Sequence, residues 1–205
     1  MKVGVLASGE GTNLQALLDT VHGHEVEVVA VATDQPAARA LERAAAAGVP
    51  TRVFLRSDYG ARAARDAAIA DWLVAERVEL VVLAGYMAIL DASFVARFPD
   101  RILNVHPSLL PAFPGARPID EALERGVKVF GVTVHLVDEG VDTGPIVLQR
   151  AVDLPGARDR AAVHASLRPI EHELLPRAVA LIATVRLRRD PSHPRRVLVD
   201  EESGP

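Results

Sequence analysis

The chain is predicted to be an α/β domain built on a doubly wound, mostly parallel sheet, and three observations predict it. Short Val-, Leu- and Ala-rich runs alternate with amphipathic stretches from Lys2 to Val105, which is the spacing of successive βαβ units. The centres of the runs, such as Val28–Ala32 and Leu80–Ala84, are uninterruptedly apolar instead of alternating apolar and polar, as strands covered on both faces are. Each run is followed within three residues by Gly, Asp or Pro, residues that turn a chain or cap helices.

In order, residues 2–7 form the first strand and Ser8-Gly9-Glu10-Gly11-Thr12-Asn13 a glycine-rich turn into a helix carrying Leu14, Leu17, Leu18 and Val21. The second strand covers 25–33, with Asp34 at its end read as a helix cap ahead of Pro36 in preference to a ribose-binding acid, and an alanine-rich helix covers 37–47 before Gly48. A third strand spans 51–55. A long helix from Asp58 to Arg77 is expected to turn Ala64, Ala67, Ala68, Trp72 and Leu73 inward. Residues 78–84 are the fourth strand, 91–97 a short helix, 101–105 the fifth strand, and 118–125 another helix. The character then changes: 127–137 and 145–152 read as an antiparallel pair closing the sheet, joined by the acid-rich loop 138–144. Residues 159–183 form a long helix with Val163, Leu167, Ile170, Leu174, Ala178 and Ile182 on one stripe, expected to kink at Pro169 and Pro176. The domain therefore covers 1–183, and 184–205, with five arginines and three prolines from Arg186 on, reads as a peripheral, partly ordered tail.

Composition narrows the function. With 205 residues, 49% of them hydrophobic, there is material for one ordinary core. A net charge of -4 leaves no electrostatic footprint for nucleic acid or an anionic membrane. No apolar run approaches the roughly 18 residues of a membrane helix. The absence of cysteine excludes disulfides, thiolate nucleophiles and thiolate metal sites. Met1 leads straight into the first strand with no leader, so a cytoplasmic setting is expected.

The chemistry concentrates at Asn104-Val105-His106-Pro107-Ser108-Leu109-Leu110-Pro111. Pro107 and Pro111 end the strand and stiffen the loop beyond it. Asn104 and His106, two apart, project from one strand face, where an amide and an imidazole can hold the charge of an attacked carbonyl. The turn at Gly9–Asn13 offers free N–H groups at a helix N-terminus, a geometry suited to phosphate. It is not a dinucleotide fingerprint, since Leu14 stands at the third glycine, nor a Walker loop, since Glu10 follows Gly9. Gly85-Tyr86-Met87 lies at the same sheet edge. A carboxylate beside His106 would orient the ring and raise its pKa; Asp142 is one candidate, with Asp138 and Glu139 competing.

Ser8-Gly9-x-Gly11-Thr12-Asn13-Leu14-Gln15, Leu83-Ala84-Gly85-Tyr86-Met87, Leu103 to Pro111 and Asp142-Thr143-Gly144-Pro145-Ile146 together resemble the phosphoribosylglycinamide formyltransferases, a folate-dependent formyltransferase family of purine synthesis. The resemblance covers Met1 to about residue 183 and implies a Rossmann-like formyltransferase fold. It implies Asn104, His106 and Asp142 as catalytic groups acting on 10-formyltetrahydrofolate as co-substrate, with no metal. Asn104 and protonated His106 would steady the oxyanion, and Asp142 would relay the proton. It further implies that glycinamide ribonucleotide is held by Gly11, Thr12 and Asn13 at its phosphate and by Glu171 at its ribose. Arg62, Gly85, Met87 and Pro107 would lie around the substrates. The reduced folate would lie against Met87, Ala88, Ile89 and Leu90 and against Val137, Asp138, Glu139, Gly140, Val141 and Asp142. Ala88, Arg117 and Arg168 stand where the family commonly has Arg, His and Gln. The oligomeric state is left open, with a homodimer compatible. Hydrolysis of the formyl donor and a non-catalytic nucleotide-binding module are the rival readings.

Overall fold

Apolar runs with no polar alternation must be covered on both faces, and the elements they form are arranged to do so. The computed structural model describes residues 1–184 and 187–199. In chain order its elements are β1 (Lys2–Leu6), α1 (Thr12–Thr20), β2 (Glu27–Thr33), α2 (Arg39–Ala46), β3 (Thr51–Val53), α3 (Arg62–Ala75), β4 (Leu80–Leu83), α4 (Ala92–Arg97), β5 (Ile102–His106), α5 (Pro118–Glu124), β6 (Val129–Leu136), β7 (Ile146–Asp153), α6 (Arg160–Ala183), β8 (Leu187–Asp190) and β9 (His193–Val199). The sheet order is β3-β2-β1-β4-β5-β6-β7-β9-β8. The strands from β3 to β5 pair parallel, and β5–β6 and β6–β7 pair antiparallel.

The chain winds outward from β1 through β2 to β3, then returns to place β4 on the other side of β1. The β1/β4 junction is thus the switch point, where loops diverge and leave a crevice at the strand ends. Two apolar layers sandwich the sheet. Val3, Val5, Leu14, Leu17, Leu167 and Leu174 lie on the α1/α6 face, and Leu6, Ile69, Leu73, Phe94 and Phe98 on the α3/α4 face. Burying a side chain of this size contributes about 1.5–3 kcal/mol.

Several local expectations are corrected. Asp34 caps no helix: α2 starts at Arg39, and the Asp34 carboxylate instead accepts the Ser8 hydroxyl at 2.6 Å. Helix α3 starts at Arg62, preceded by a 3₁₀ turn at Arg56–Asp58. Its buried face is rotated from the predicted one, for Ala64 and Ala67 are exposed while Arg65 and Asp66 are buried. The cause lies in the loop above it, where the N–H of Asp91 needs an acceptor and receives the Asp66 carboxylate at 2.8 Å. Helix α6 runs without interruption through Pro169 and Pro176, each of which removes one helical N–H donor. The sheet does not end at the β6–β7 pair. Within the tail β8 and β9 form an antiparallel hairpin, and β9 meets β7 at Ile146 and Arg196, covering an otherwise open edge. Residues 185–186 and 200–205 of the expected tail lie outside the described residues.

Candidate active site

Strand β5 ends in the switch-point crevice because Pro107 cannot donate the next ladder bond. The proline-rich loop beyond it is pinned from the neighbouring strands. Thr133 donates to Ser108 O at 2.7 Å and accepts from Leu110 N, while Gln149 Nε2 donates to Leu110 O at 2.7 Å. His106, 5% exposed, is thereby fixed at the base of a cavity of about 440 Å³.

The His106 ring is held from two sides. Its Nε2–H donates to the Phe113 carbonyl at 2.8 Å, and its Nδ1 lies 3.4 Å from Asp142 Oδ2. Since a carbonyl only accepts, the neutral ring carries its proton on Nε2 and turns the Nδ1 lone pair to the carboxylate. One proton placed between them satisfies both atoms. Both partners sit on left-handed backbone, at φ 54 for Phe113 and φ 53 for Asp142, a strained arrangement characteristic of functional sites. Gly115 N donates to Asp142 Oδ2 at 2.7 Å, so the segment that carries Phe113 also fixes the carboxylate. Of the three competing acids, Asp142 alone faces His106; Asp138 is taken up by Thr143 Oγ1 at 2.7 Å and by Gly140 N.

Asn104 is aligned by His135, a residue absent from the expected set. The two face each other across β5 and β6, with Asn104 Nδ2 3.2 Å from His135 Nε2. His135 Nδ1–H donates to Leu136 O at 2.9 Å, leaving Nε2 to accept from the Asn104 amide. The second amide N–H of Asn104 stays unclaimed beside the cavity. His135 had a signal: Thr133 and His135 interrupt an apolar strand at a spacing of two, which puts both on one face.

Burial sets the charge state. It pushes the His106 pKa below the ordinary value of 6.5, and the Phe113 carbonyl and Asp142 carboxylate do not overcome it. Asp142 therefore does not lift the imidazole above its usual range as expected, because desolvation wins. Burial alone would raise the Asp142 carboxyl, but a protonated His135 ring, whose Nε2 lies 3.5 Å from Oδ1, the Gly115 N–H and a protonated His106 hold it below the usual carboxylate range. The site therefore rests with Asp142 ionised and His106 neutral near pH 7. A depressed folded pKa means stability is intact above about 6.5 and is lost as pH falls into the window beneath, where the unfolded chain binds a proton the folded one refuses. Thermal melts between neutral pH and about pH 5 should fall less steeply for His106→Gln than for the unaltered chain; equal slopes would contradict this.

The remaining predicted residues divide clearly. Gly11, Thr12, Asn13, Gly85, Met87–Leu90, Pro107, Val137–Asp142 and Glu171 all line the cavity. Gly11 adopts φ 68 and starts α1, and a Cβ there would meet Ala40 Cα at 2.7 Å, so only glycine fits. Glu171 is buried, 6% exposed, and accepts from Asn13 Nδ2 at 3.0 Å, while Asn13 Oδ1 is buried without a partner. Arg62 does not join the site; it is exposed and pairs with Asp91 at 3.7 Å. Met87, Ile89 and Val141 expose apolar side chains at the cavity's other end.

The formyl transferase family model matches residues 1–179. The phosphoribosylglycinamide formyltransferase of Mycobacterium tuberculosis H37Rv is 47% identical over 181 residues, covering 88% of this chain and 84% of that protein. The trifunctional purine biosynthetic protein adenosine-3 of Drosophila pseudoobscura is 43% identical over 192 residues; the match takes in 92% of this chain but spans only 14% of that protein. The crystal structure of glycinamide ribonucleotide transformylase 1 from Symbiobacterium toebii superposes with a TM-score of 0.93 at 44% identity, covering 98% of this chain and 94% of that one. Among the described residues, no helix is long and apolar enough to cross a membrane. A His–Asp pair and an aligned asparagine at the switch point of a doubly wound sheet thus coincide with a match over nearly the whole chain: the protein belongs to the formyl transferase family.

Proposed function

We propose that the chain transfers the formyl group of 10-formyltetrahydrofolate to the amine of glycinamide ribonucleotide. The carrying observation is the position of the His106–Asp142 pair and Asn104 between two unlike ends of one cavity. One end, Gly9–Asn13, is backbone amide at a helix N-terminus, suited to a phosphate. The other, Met87–Leu90 with Val137–Asp142, is apolar side chain and backbone, suited to the flat ring of a reduced folate. The cavity volume lies in the range of small-molecule sites.

Gly11, Thr12 and Asn13 hold the phosphate, and Glu171 with the unpartnered Asn13 Oδ1 accepts from ribose hydroxyls. This places the substrate amine at the centre of the cavity. Asn104, through its unclaimed N–H, and His106 stabilise the negative charge that develops on the formyl oxygen. Asp142, ionised at rest, removes the proton from the attacking amine and delivers it to the departing folate nitrogen. While that proton resides between Asp142 and Nδ1, His106 is cationic, at the stage when the oxyanion needs it. One N–C bond forms, one breaks, and one proton moves between nitrogens, so nothing further is consumed. All these groups come from one chain, so the scheme serves a monomer or a homodimer, and its setting is the cytoplasm.

The test is formyl transfer followed by the optical change of the folate, with and without glycinamide ribonucleotide. Folate turnover only when the ribonucleotide is present is the expected result. Equal turnover in water alone would make the protein a hydrolase and overturn the reading.

A further inference from the structure

We propose that Arg43, on helix α2 and outside the cavity lining, is a positioning residue that turns the Gly9–Gly11 turn so that its N–H groups face the substrate phosphate. This rests on reading that turn as the phosphate cradle. In a trans peptide the C=O and the following N–H point in opposite directions. Fixing a carbonyl on one side therefore aims the next N–H at the other. Helix α2 fixes two such carbonyls in succession. Ala40 N donates to Gly9 O at 3.2 Å, and Arg43 Nε donates to Glu10 O at 2.8 Å. The N–H groups of Glu10 and Gly11 consequently face away from α2, and neither has an acceptor among the described residues. With the open first turn of α1 they form a run of donors pointing one way, the backbone arrangement that binds anions.

Arg43 is itself locked. Its NH1 donates to Gln15 Oε1 at 3.0 Å, and Gln15 Nε2 donates to Asp19 at 2.7 Å, so the guanidinium ties the turn to the body of α1. The approach is close enough that Ala40 Cα occupies the space a Gly11 side chain would need. Arg39 draws the Glu10 carboxylate to itself at 3.1 Å, keeping that negative charge engaged by a cation of α2. Arg43 thus contributes a fixed peptide orientation and touches no substrate.

Steady-state kinetics with glycinamide ribonucleotide and with its dephosphorylated riboside separate this role from a general structural one. Arg43→Ala should raise KM for the ribonucleotide about tenfold, the loss of one charge-assisted hydrogen bond. Its kcat should stay within about twofold, and its kinetics with the riboside should be unchanged. Arg43→Lys keeps the bulk and one donor, so its KM rise should be smaller and again confined to the ribonucleotide. Inorganic phosphate should compete with the ribonucleotide and do so more weakly in both variants. Equal effects on both substrates, or an unchanged KM in both variants, would overturn the role of Arg43. If the unaltered protein used the two substrates equally well, the phosphate reading of the turn would fall instead, and the inference with it.

Discussion

Asp142→Asn should lower kcat about a thousandfold, within the range spanned by lost general acid–base catalysis, and leave the fold in place. Asparagine is the informative replacement at this position. It tolerates the left-handed backbone, φ 53, and its oxygen can still accept from Gly115 N. The His106 ring is still held through Nε2–H by the Phe113 carbonyl, so it stays where it is. The variant loses the ability to hold a proton between positions 142 and 106, which also denies His106 its cationic form during the reaction. KM for each substrate should therefore move less than about threefold, because ground-state contacts survive while an interaction made only in the transition state is gone. A fall in kcat below about tenfold would mean that the proton travels by another route, and the assignment of Asp142 would be abandoned.

Arg65→Ala should cost about 3–5 kcal/mol of folding stability, a large share of the roughly 5–15 kcal/mol that a typical domain possesses. Asp66 is fully buried, and Arg65 Nε and NH2 donate to its Oδ1 at 2.9 and 2.7 Å. Alanine leaves that carboxylate charged, enclosed and without its cation. The double variant Arg65→Met, Asp66→Asn removes both charges, fills most of the volume and keeps an oxygen for the Asp91 N–H. It should regain more than half of the loss, since most of the cost is the stranded charge and not the missing bond. Denaturant unfolding of the three proteins gives the comparison. A single-variant cost below about 1 kcal/mol would show that the carboxylate escapes to solvent or takes up a proton. The pair also bears on the site: Asp66 holds Asp91 N at the end of the loop carrying Met87–Leu90, so the proposed folate slot should loosen with it.

Local rules acting on neighbouring residues are enough to specify the sheet's parallel half with its antiparallel neighbours β6 and β7, the succession of strands and helices there, and the edge that carries the candidate site; the β8–β9 extension was not among them. Uninterrupted apolar runs demand two-sided burial, Pro107 stops β5, and a glycine-rich turn opens α1. The pairing of Asn104 with His106 was legible because strand periodicity is a property of adjacent positions alone. The family resemblance supplied Glu171 and singled out Asp142 from Asp138 and Glu139, which local rules could not rank.

Everything else was settled by tertiary contacts, and in each case the deciding partner is distant along the chain. Asp142 prevailed over Asp138 because Gly115 and the His106 ring reach it, whereas Thr143 occupies Asp138. His135 became the support of Asn104 through the register of β5 against β6, which no short-range pattern specifies. Arg65 and Asp66 displaced two alanines from the buried face of α3 because the N–H of Asp91, in a separate loop, needed an acceptor. The resting charge of His106 was set by desolvation, a quantity that exists only once the chain is folded around it.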